Sequence, residues 1–391
     1  MSARRLQTLA LALLATGCLA GAPARVTGGV TDVRYWSYAD YTRVVVELDE
    51  LVPTDVRRLA ADPGHERPAR LYLDLPGVWV GRKYDEPIPV KDGLLRGIRL
   101  GQNTLEATRV VIDLDRYDRH RLLLLTGPPR VVVDVYGRRS SAAHAHAPAP
   151  APGATRLPVA LRPVRMVVLD PGHGGRDPGA ITPGLREKDV TLALARRVRP
   201  LLAARGLEVL LTRDGDRTVE LEERTAFAEG EGADLFVSLH VNAAPRRSLR
   251  GIETYYLDRS HERHTVRVAA HENGISPAQL DSLQRTVAGF RISEVSEHSA
   301  RLAKAVHREL VGGMQQRYGG VNDLGIKKGP FFVLFLSNLP SVLVEVGFLT
   351  NPDEAKRLAD SRYLDALAGE ISAGIVRYRD LTAPVLAGRR P

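Results

Sequence analysis

His173 and His240 each close an apolar run. The first stands in Val167-Val168-Leu169-Asp170-Pro171-Gly172-His173-Gly174-Gly175, and the second ends Leu235-Phe236-Val237-Ser238-Leu239-His240. Runs of this kind predict buried strands, and Pro171 with Gly172 forces a turn after the first. Neighbouring strands lie about 4.8 Å apart, so imidazoles at two nearby strand ends can share one ion. Hydrolytic zinc sites commonly take two histidines, one carboxylate and a water. Glu187, in the loop Leu185-Arg186-Glu187-Lys188-Asp189, is the carboxylate candidate. Glu345 lies inside the otherwise apolar Val342-Leu343-Val344-Glu345-Val346. Burying it without a partner is costly. A zinc-activated water would satisfy it and employ it as a general base. Taken singly, each residue reads as an ordinary packed histidine or structural charge; four at element ends of one domain argue for a site.

The elements that must position them alternate. A strand over 164–169 precedes a helix over 190–202, whose stripe is Val190, Leu194, Val198 and Leu201. Then come a strand at 208–212, a helix at 218–228 capped by Thr218, and strands at 235–239 and 252–257. A long helix at 296–318, a strand at 342–346 and a last helix at 353–379 complete the pattern. This rhythm predicts an α/β domain over 164–380, a mainly parallel or mixed twisted sheet flanked by helices, and such folds carry ligand sites at strand ends. Residues 26–138 read instead as an all-β sandwich. Four runs share apolar residues closed by a carboxylate, at 42–48, 69–75, 108–114 and 129–135, and recur as two related half-domains packed face to face. One short helix is expected at 53–62. Residues 139–163 form a Pro/Ala-rich spacer that cannot pack a core, and His144 and His146 within it read as solvated.

Two domains and a linker suit 391 residues. The formal charge of +9 admits a polyanionic partner, though an excess of Arg over Lys carries much of it. No Arg/Lys run with interleaved aromatics occurs, which excludes a nucleic-acid partner. Residues 1–24 read as an export signal, with Arg4-Arg5 before the apolar 9–14. Two exits are open: ordinary cleavage near Ala22-Pro23-Ala24, or a lipoprotein box with Cys18 as a lipid anchor. Arg4-Arg5 also admits twin-arginine export. Cys18 is the single cysteine, so the mature protein has no disulfide and no thiolate metal site. His261-Glu262-Arg263-His264 has one residue too few for the metalloprotease helix motif, and Gly172-His173-Gly174-Gly175 lacks dinucleotide-loop spacing. No Gly-x-Ser-x-Gly elbow is present.

The runs 169–175, 187–189, 238–243, 251–257 and 344–351 (Val344-Glu345-Val346-Gly347-Phe348-Leu349-Thr350-Asn351) together resemble the zinc-dependent N-acetylmuramoyl-L-alanine amidases of the amidase_3 type. The resemblance spans about 164–380 in the right order. It implies His173, Glu187 and His240 as Zn2+ ligands and Glu345 as the glutamate that activates water. The implied reaction is hydrolysis of the peptidoglycan amide joining muramic acid to L-alanine, with Asn242 positioning substrate. Arg34-Tyr35-Trp36-Ser37 with Tyr41-Thr42-Arg43-Val44-Val45 resembles the AMIN-type domain, a sandwich that holds envelope enzymes on peptidoglycan. Septal amidases of the family carry an inserted helix that blocks the zinc until a LytM-type activator removes it. By that likeness 265–292 is a regulatory insertion with Glu272 as its plug carboxylate. The implied setting is the periplasm or cell envelope, in wall remodelling or daughter-cell separation.

Overall fold

The computed structural model describes residues 28–38, 40–65, 67–81, 83–126, 128–137, 163–258, 265–273 and 293–383. The export segment with Cys18, nearly all of the spacer, the 261–264 stretch and the greater part of the 265–292 insertion lie outside the described residues.

The N-terminal part holds ten strands: β1 (Gly28–Ser37), β2 (Tyr41–Leu48), β3 (Val56–Leu59), β4 (Arg70–Pro76), β5 (Val78–Trp79), β6 (Ile88–Pro89), β7 (Leu95–Thr104), β8 (Ala107–Leu114), β9 (Arg119–Thr126) and β10 (Pro129–Tyr136). They form two five-stranded sheets, β5-β1-β2-β10-β9 and β3-β4-β8-β7-β6. The four recurrent runs become β2, β4, β8 and β10. Each sheet pairs one early run with one late run, β2 with β10 and β4 with β8. Val44, Val46, Val131 and Val133 meet Leu71, Leu73, Val110 and Ile112 between the sheets. The helix expected at 53–62 is instead edge strand β3, paired with β4. Pro53 and Pro63 leave too short a run for a stable helix, whereas pairing satisfies its backbone.

In β4 and β8 burial alternates residue by residue, as in a half-covered sheet. In β2 and β10 nearly every residue is buried, because their sheet is covered on both faces. Val45, Val132, Leu123 and Leu125 pack on the C-terminal part, in one apolar cluster with Val168, Phe236 and Phe331. On that same face Asp134 stands between Arg43 and Arg121 of the flanking strands. It accepts from Arg43 Nε at 2.7 Å and from Arg121 Nε at 2.9 Å, all three side chains being buried.

The C-terminal part contains β11 (Met166–Pro171), β12 (Ile181–Thr182), β13 (Leu185–Arg186), α1 (Glu187–Ala203), β14 (Glu208–Leu211), α2 (Leu221–Gly230), β15 (Leu235–Asn242), β16 (Ile252–Tyr256), α3 (Thr265–Glu272), α4 (Ser293–Tyr318), β17 (Asp323–Lys328), α5 (Phe332–Phe335), β18 (Ser341–Phe348), α6 (Pro352–Leu358) and α7 (Ser361–Thr382). Its six-stranded sheet runs β14-β11-β15-β18-β16-β17. The first four strands are parallel, and β16 is antiparallel to β18, so the sheet is mixed. Alternate side chains go to opposite faces. Val167, Leu169, Val237 and Val344 meet α1, α4 and α7. Val168, Phe236 and Leu343 meet α2, α3, α5 and the sandwich.

Several expected boundaries move. Helix α2 begins at Leu221, because Glu220 and Glu223 form its capping box; Thr218 Oγ1 accepts from the Arg176 amide instead. The last helix is two, because Asn351 caps α6 and Asp360 caps α7. Helix α1 reaches back to Glu187. No helix among the described residues is long and apolar enough to cross a membrane.

Replacing Asp134 by Ala leaves two buried guanidinium groups without their carboxylate. The expected loss is about 3–5 kcal/mol of unfolding free energy, read from the urea midpoint.

Candidate metal centre

Four side chains converge at the C-terminal ends of the parallel strands. One ligand atom from each of His173, Glu187, His240 and Glu272 lies within 4.8 Å of the others. Each is held by a different element, and the local sequence explains each placement.

His173 stands two residues past β11 with a left-handed backbone, φ 58°. The turn closes through Gly174 N to Asp177 O at 2.9 Å. Asp177 Oδ2 lies 2.7 Å from His173 Nδ1, which fixes the ring and leaves Nε2 for the site. Gly172 and Gly179 are required by close approach. A Cβ on Gly172 would stand 2.4 Å from the His240 ring, and one on Gly179 2.6 Å from both Glu187 Oε2 and the His173 ring.

Glu187 is the first residue of α1. Its carboxylate accepts from the Ala180 amide (Oε2, 2.9 Å) and the Val241 amide (Oε1, 2.9 Å). Its oxygens stand 3.2 Å from His173 Nε2 and 3.1 Å from His240 Nδ1. His240 lies within β15, and the parallel register places it beside Glu345 of β18. Glu272, the last residue of α3, brings Oε2 to 3.3 Å from His173 Nε2 and 3.0 Å from His240 Nδ1. Helix α3 is fixed at both ends: Thr265 Oγ1 donates to Lys328 O, while Asn273 donates to Pro330 O and accepts from the Phe332 amide.

Burial opposes charge throughout the cluster, yet mutual attraction wins for four groups. His173 is raised well above the usual imidazole range by Glu187 and Asp177, and His240 is pushed up to about 10 by Glu272 and Glu187. The same pairings hold Glu187 and Glu272 below the usual carboxylate range. Glu345 goes the other way: burial, then the negative charge of Glu272, raises it well above that range. Both Glu345 oxygens, His173 Nε2 and Glu272 Oε2 are buried without a hydrogen bond. Orphaned acceptors beside two imidazoles are what a divalent cation with a water would satisfy, so the donor set fits zinc. A cavity of about 180 Å³ opens on the cluster between His173, His240, Glu272, Arg224, Phe331 and Leu343.

A buried polar frame carries the His173 turn, and its arginines are not evident from sequence. Asp170 accepts from Thr212 Oγ1 at 2.6 Å, Ser238 Oγ at 2.8 Å and Arg224 Nη1 at 2.7 Å. Against burial, Arg224 and the hydroxyls hold it below the usual range. Arg224 also donates to Pro171 O and His173 O, each at 2.8 Å. Arg213 donates to Pro171 O at 3.0 Å, Gly172 O at 2.9 Å and Lys188 O at 2.8 Å. Burial and the charge of Arg224 lower Arg213 to about 10. Asn242 turns to Glu253, which also accepts from Tyr255 OH at 2.7 Å and pairs with Lys327.

The family model described as N-acetylmuramoyl-L-alanine amidase matches residues 167–377, and the AMIN domain model matches 62–135. The N-acetylmuramoyl-L-alanine amidase AmiC of Neisseria meningitidis serogroup B is 30% identical over 386 residues, covering 89% of each chain. AmiC of Escherichia coli O6:H1 is 28% identical over the same length, again at 89% of each. Among solved structures, the amidase AmiC2 of Nostoc punctiforme shares 32% identity over 55% of this chain and 97% of its own, with a TM-score of 0.43.

Gly179→Ala drives a methyl group against Glu187 and His173. Zinc affinity, measured by chelator competition, is expected to fall at least about tenfold, with the circular dichroism spectrum unchanged.

Proposed function

This chain belongs to the N-acetylmuramoyl-L-alanine amidase family, and from that premise we propose how its own residues cut peptidoglycan between muramic acid and the L-alanine of the stem peptide. The observation that carries the reading is the convergence of His173, Glu187 and His240 beside the unpartnered, buried Glu345.

His173 Nε2, His240 Nδ1 and a Glu187 oxygen would hold the zinc ion. Such an ion supplies Lewis acidity toward the scissile carbonyl and lowers the pKa of a water. Glu345 takes a proton from the attacking water. Once hydroxyl has added to the carbonyl carbon, Glu345 returns that proton to the alanine nitrogen as the C–N bond breaks. Its burial raises the Glu345 carboxyl, which suits the acid half of this role, while the positive charge of a bound cation would favour the ionised form that the base half needs. Asp177 keeps the His173 ring oriented, and the Ala180 and Val241 amides keep Glu187 aimed. Asn242 would serve substrate binding through the Glu253 network it joins.

Glu272 Oε2 lies 3.3 Å from His173 Nε2 and 3.0 Å from His240 Nδ1, where a water and the substrate carbonyl would have to approach a bound ion. We read it as the plug carboxylate of a gated enzyme, released when a LytM-type activator draws α3 away. The sandwich would hold the enzyme on peptidoglycan in the cell envelope, with export by the N-terminal segment and Cys18 as the lipid anchor if that exit is used. Cutting this bond removes stem peptides from glycan strands, which suits separation of daughter cells.

The test is digestion of purified sacculi, with mass analysis of the released fragments. The wild type should free intact stem peptides, and chelation should stop it. Glu345→Gln should lower kcat by about 10²–10⁴-fold while zinc stays bound one per chain. A cut within the stem peptide would make this a zinc peptidase instead. Glu272→Ala is expected to raise the basal rate without activator; an unchanged rate would remove the plug role.

A further inference from the structure

Glu222, Thr225 and Glu229 stand at i, i+3 and i+7 of α2, one stripe of the helix. Each meets the N-terminal sandwich. Glu222 pairs with Arg130 and lies 3.5 Å from Arg34 Nη2. Thr225 Oγ1 accepts from Arg43 Nη1 at 3.3 Å. Glu229 accepts from the Tyr41 hydroxyl and from the Asn338 amide at 2.7 Å. Ala226, on the same side, packs with Tyr38, Tyr41 and Tyr136.

The other side of α2 belongs to the metal centre. Arg224 projects there and ties Asp170, Pro171 O and His173 O. One helix of ten residues is therefore clamped between the N-terminal sandwich and the turn that carries His173. The clamp is not a loose surface contact. Arg130, Arg43, Glu222 and Thr225 are fully buried, and the apolar cluster beneath them is continuous from Val45 and Val132 to Phe236 and Leu343. Modules joined only by a spacer are expected to move independently unless the contact is large and apolar. Charges are buried at such a contact only where each has its partner.

We propose that the sandwich is a positioning element of the amidase centre, acting through a relay from the Arg130–Glu222 and Arg43–Thr225 contacts, across α2, to Arg224 and the His173 turn. Arg130, Glu222 and Arg224 are positioning residues in this scheme, acting through the His173 turn. The proposal rests on the reading of His173 as a ligand, and the test separates the two.

The full chain is compared with R130M/E222M, which removes both buried charges together, and with Thr225→Val as a milder second variant. Two readouts are used: hydrogen exchange of the 172–179 amides without added metal, and zinc affinity by competition with a chromogenic chelator. Both variants should keep their folded spectrum and lose protection at 172–179. Zinc binding should weaken by about tenfold, the scale of outer-shell losses. Arg224→Lys should reproduce both effects without touching the sandwich. Wild-type protection and affinity in R130M/E222M would overturn the relay. If that variant does not fold, wild-type protection and affinity in Thr225→Val would overturn it equally. A wild-type chain that binds no zinc would sink the ligand reading, while the exchange measurement would still decide the relay.

Discussion

Three carboxylates, from Glu187, Glu272 and Glu345, are buried around two imidazoles at the ends of one sheet. The negative charge of Glu187 and Glu272 cannot persist out of water unless positive charge is brought to it, and burial pushes the third, Glu345, toward its protonated form. Everything nearby answers that demand. Backbone amides of Ala180 and Val241 point at Glu187, the histidines lean toward the carboxylates, and Glu345 remains the member with no donor at all. A divalent ion would complete the balance that protons on the imidazoles supply otherwise.

Keeping such a centre in register falls to arginines rather than to the sheet alone. Parallel pairing aligns β11, β15 and β18, but His173 lies beyond the last ladder bond, on backbone with positive φ. Guanidinium groups of Arg213 and Arg224 collect the carbonyls of Pro171, Gly172 and His173, which the strand no longer satisfies. The buried Asp170 neutralises part of that charge. The start of the turn is thus held by buried donors on three successive carbonyls.

The sequence shows the chemical residues well because each breaks an apolar run: His173 after Leu169-Asp170-Pro171-Gly172, His240 after Leu239, Glu345 between Val344 and Val346. Period and run length also reveal the order of strands and helices. What local pattern misses is whatever depends on distant partners. Arg213 and Arg224 look like surface charges, since nothing in Thr212-Arg213 or Glu223-Arg224 tells which carbonyls will face them. Glu272 emerges only by family likeness, since its place depends on Asn273 bridging Pro330 and Phe332. The double coverage of β2 and β10 does leave a local trace. Val44-Val45-Val46 and Val131-Val132-Val133 do not alternate, as in strands covered on both sides, whereas Leu71-Tyr72-Leu73-Asp74 does. Val110-Val111-Ile112 of the half-covered β8 reads the same way as the valine runs, so the trace is not unique. A helix at 53–62 follows only if composition outweighs the prolines that bracket the stretch, and here the prolines win.

That uninterrupted valine pattern also limits how the gene could be cut and pasted. A sandwich lifted away to decorate another enzyme would carry a bare wall of Val45, Leu123, Leu125 and Val132, with the Arg43–Asp134–Arg121 triad opened to solvent. Such a face invites self-association. A sandwich whose sheets are apolar on one side only could be exchanged between enzymes, whereas this one would have to travel with the helix it leans on.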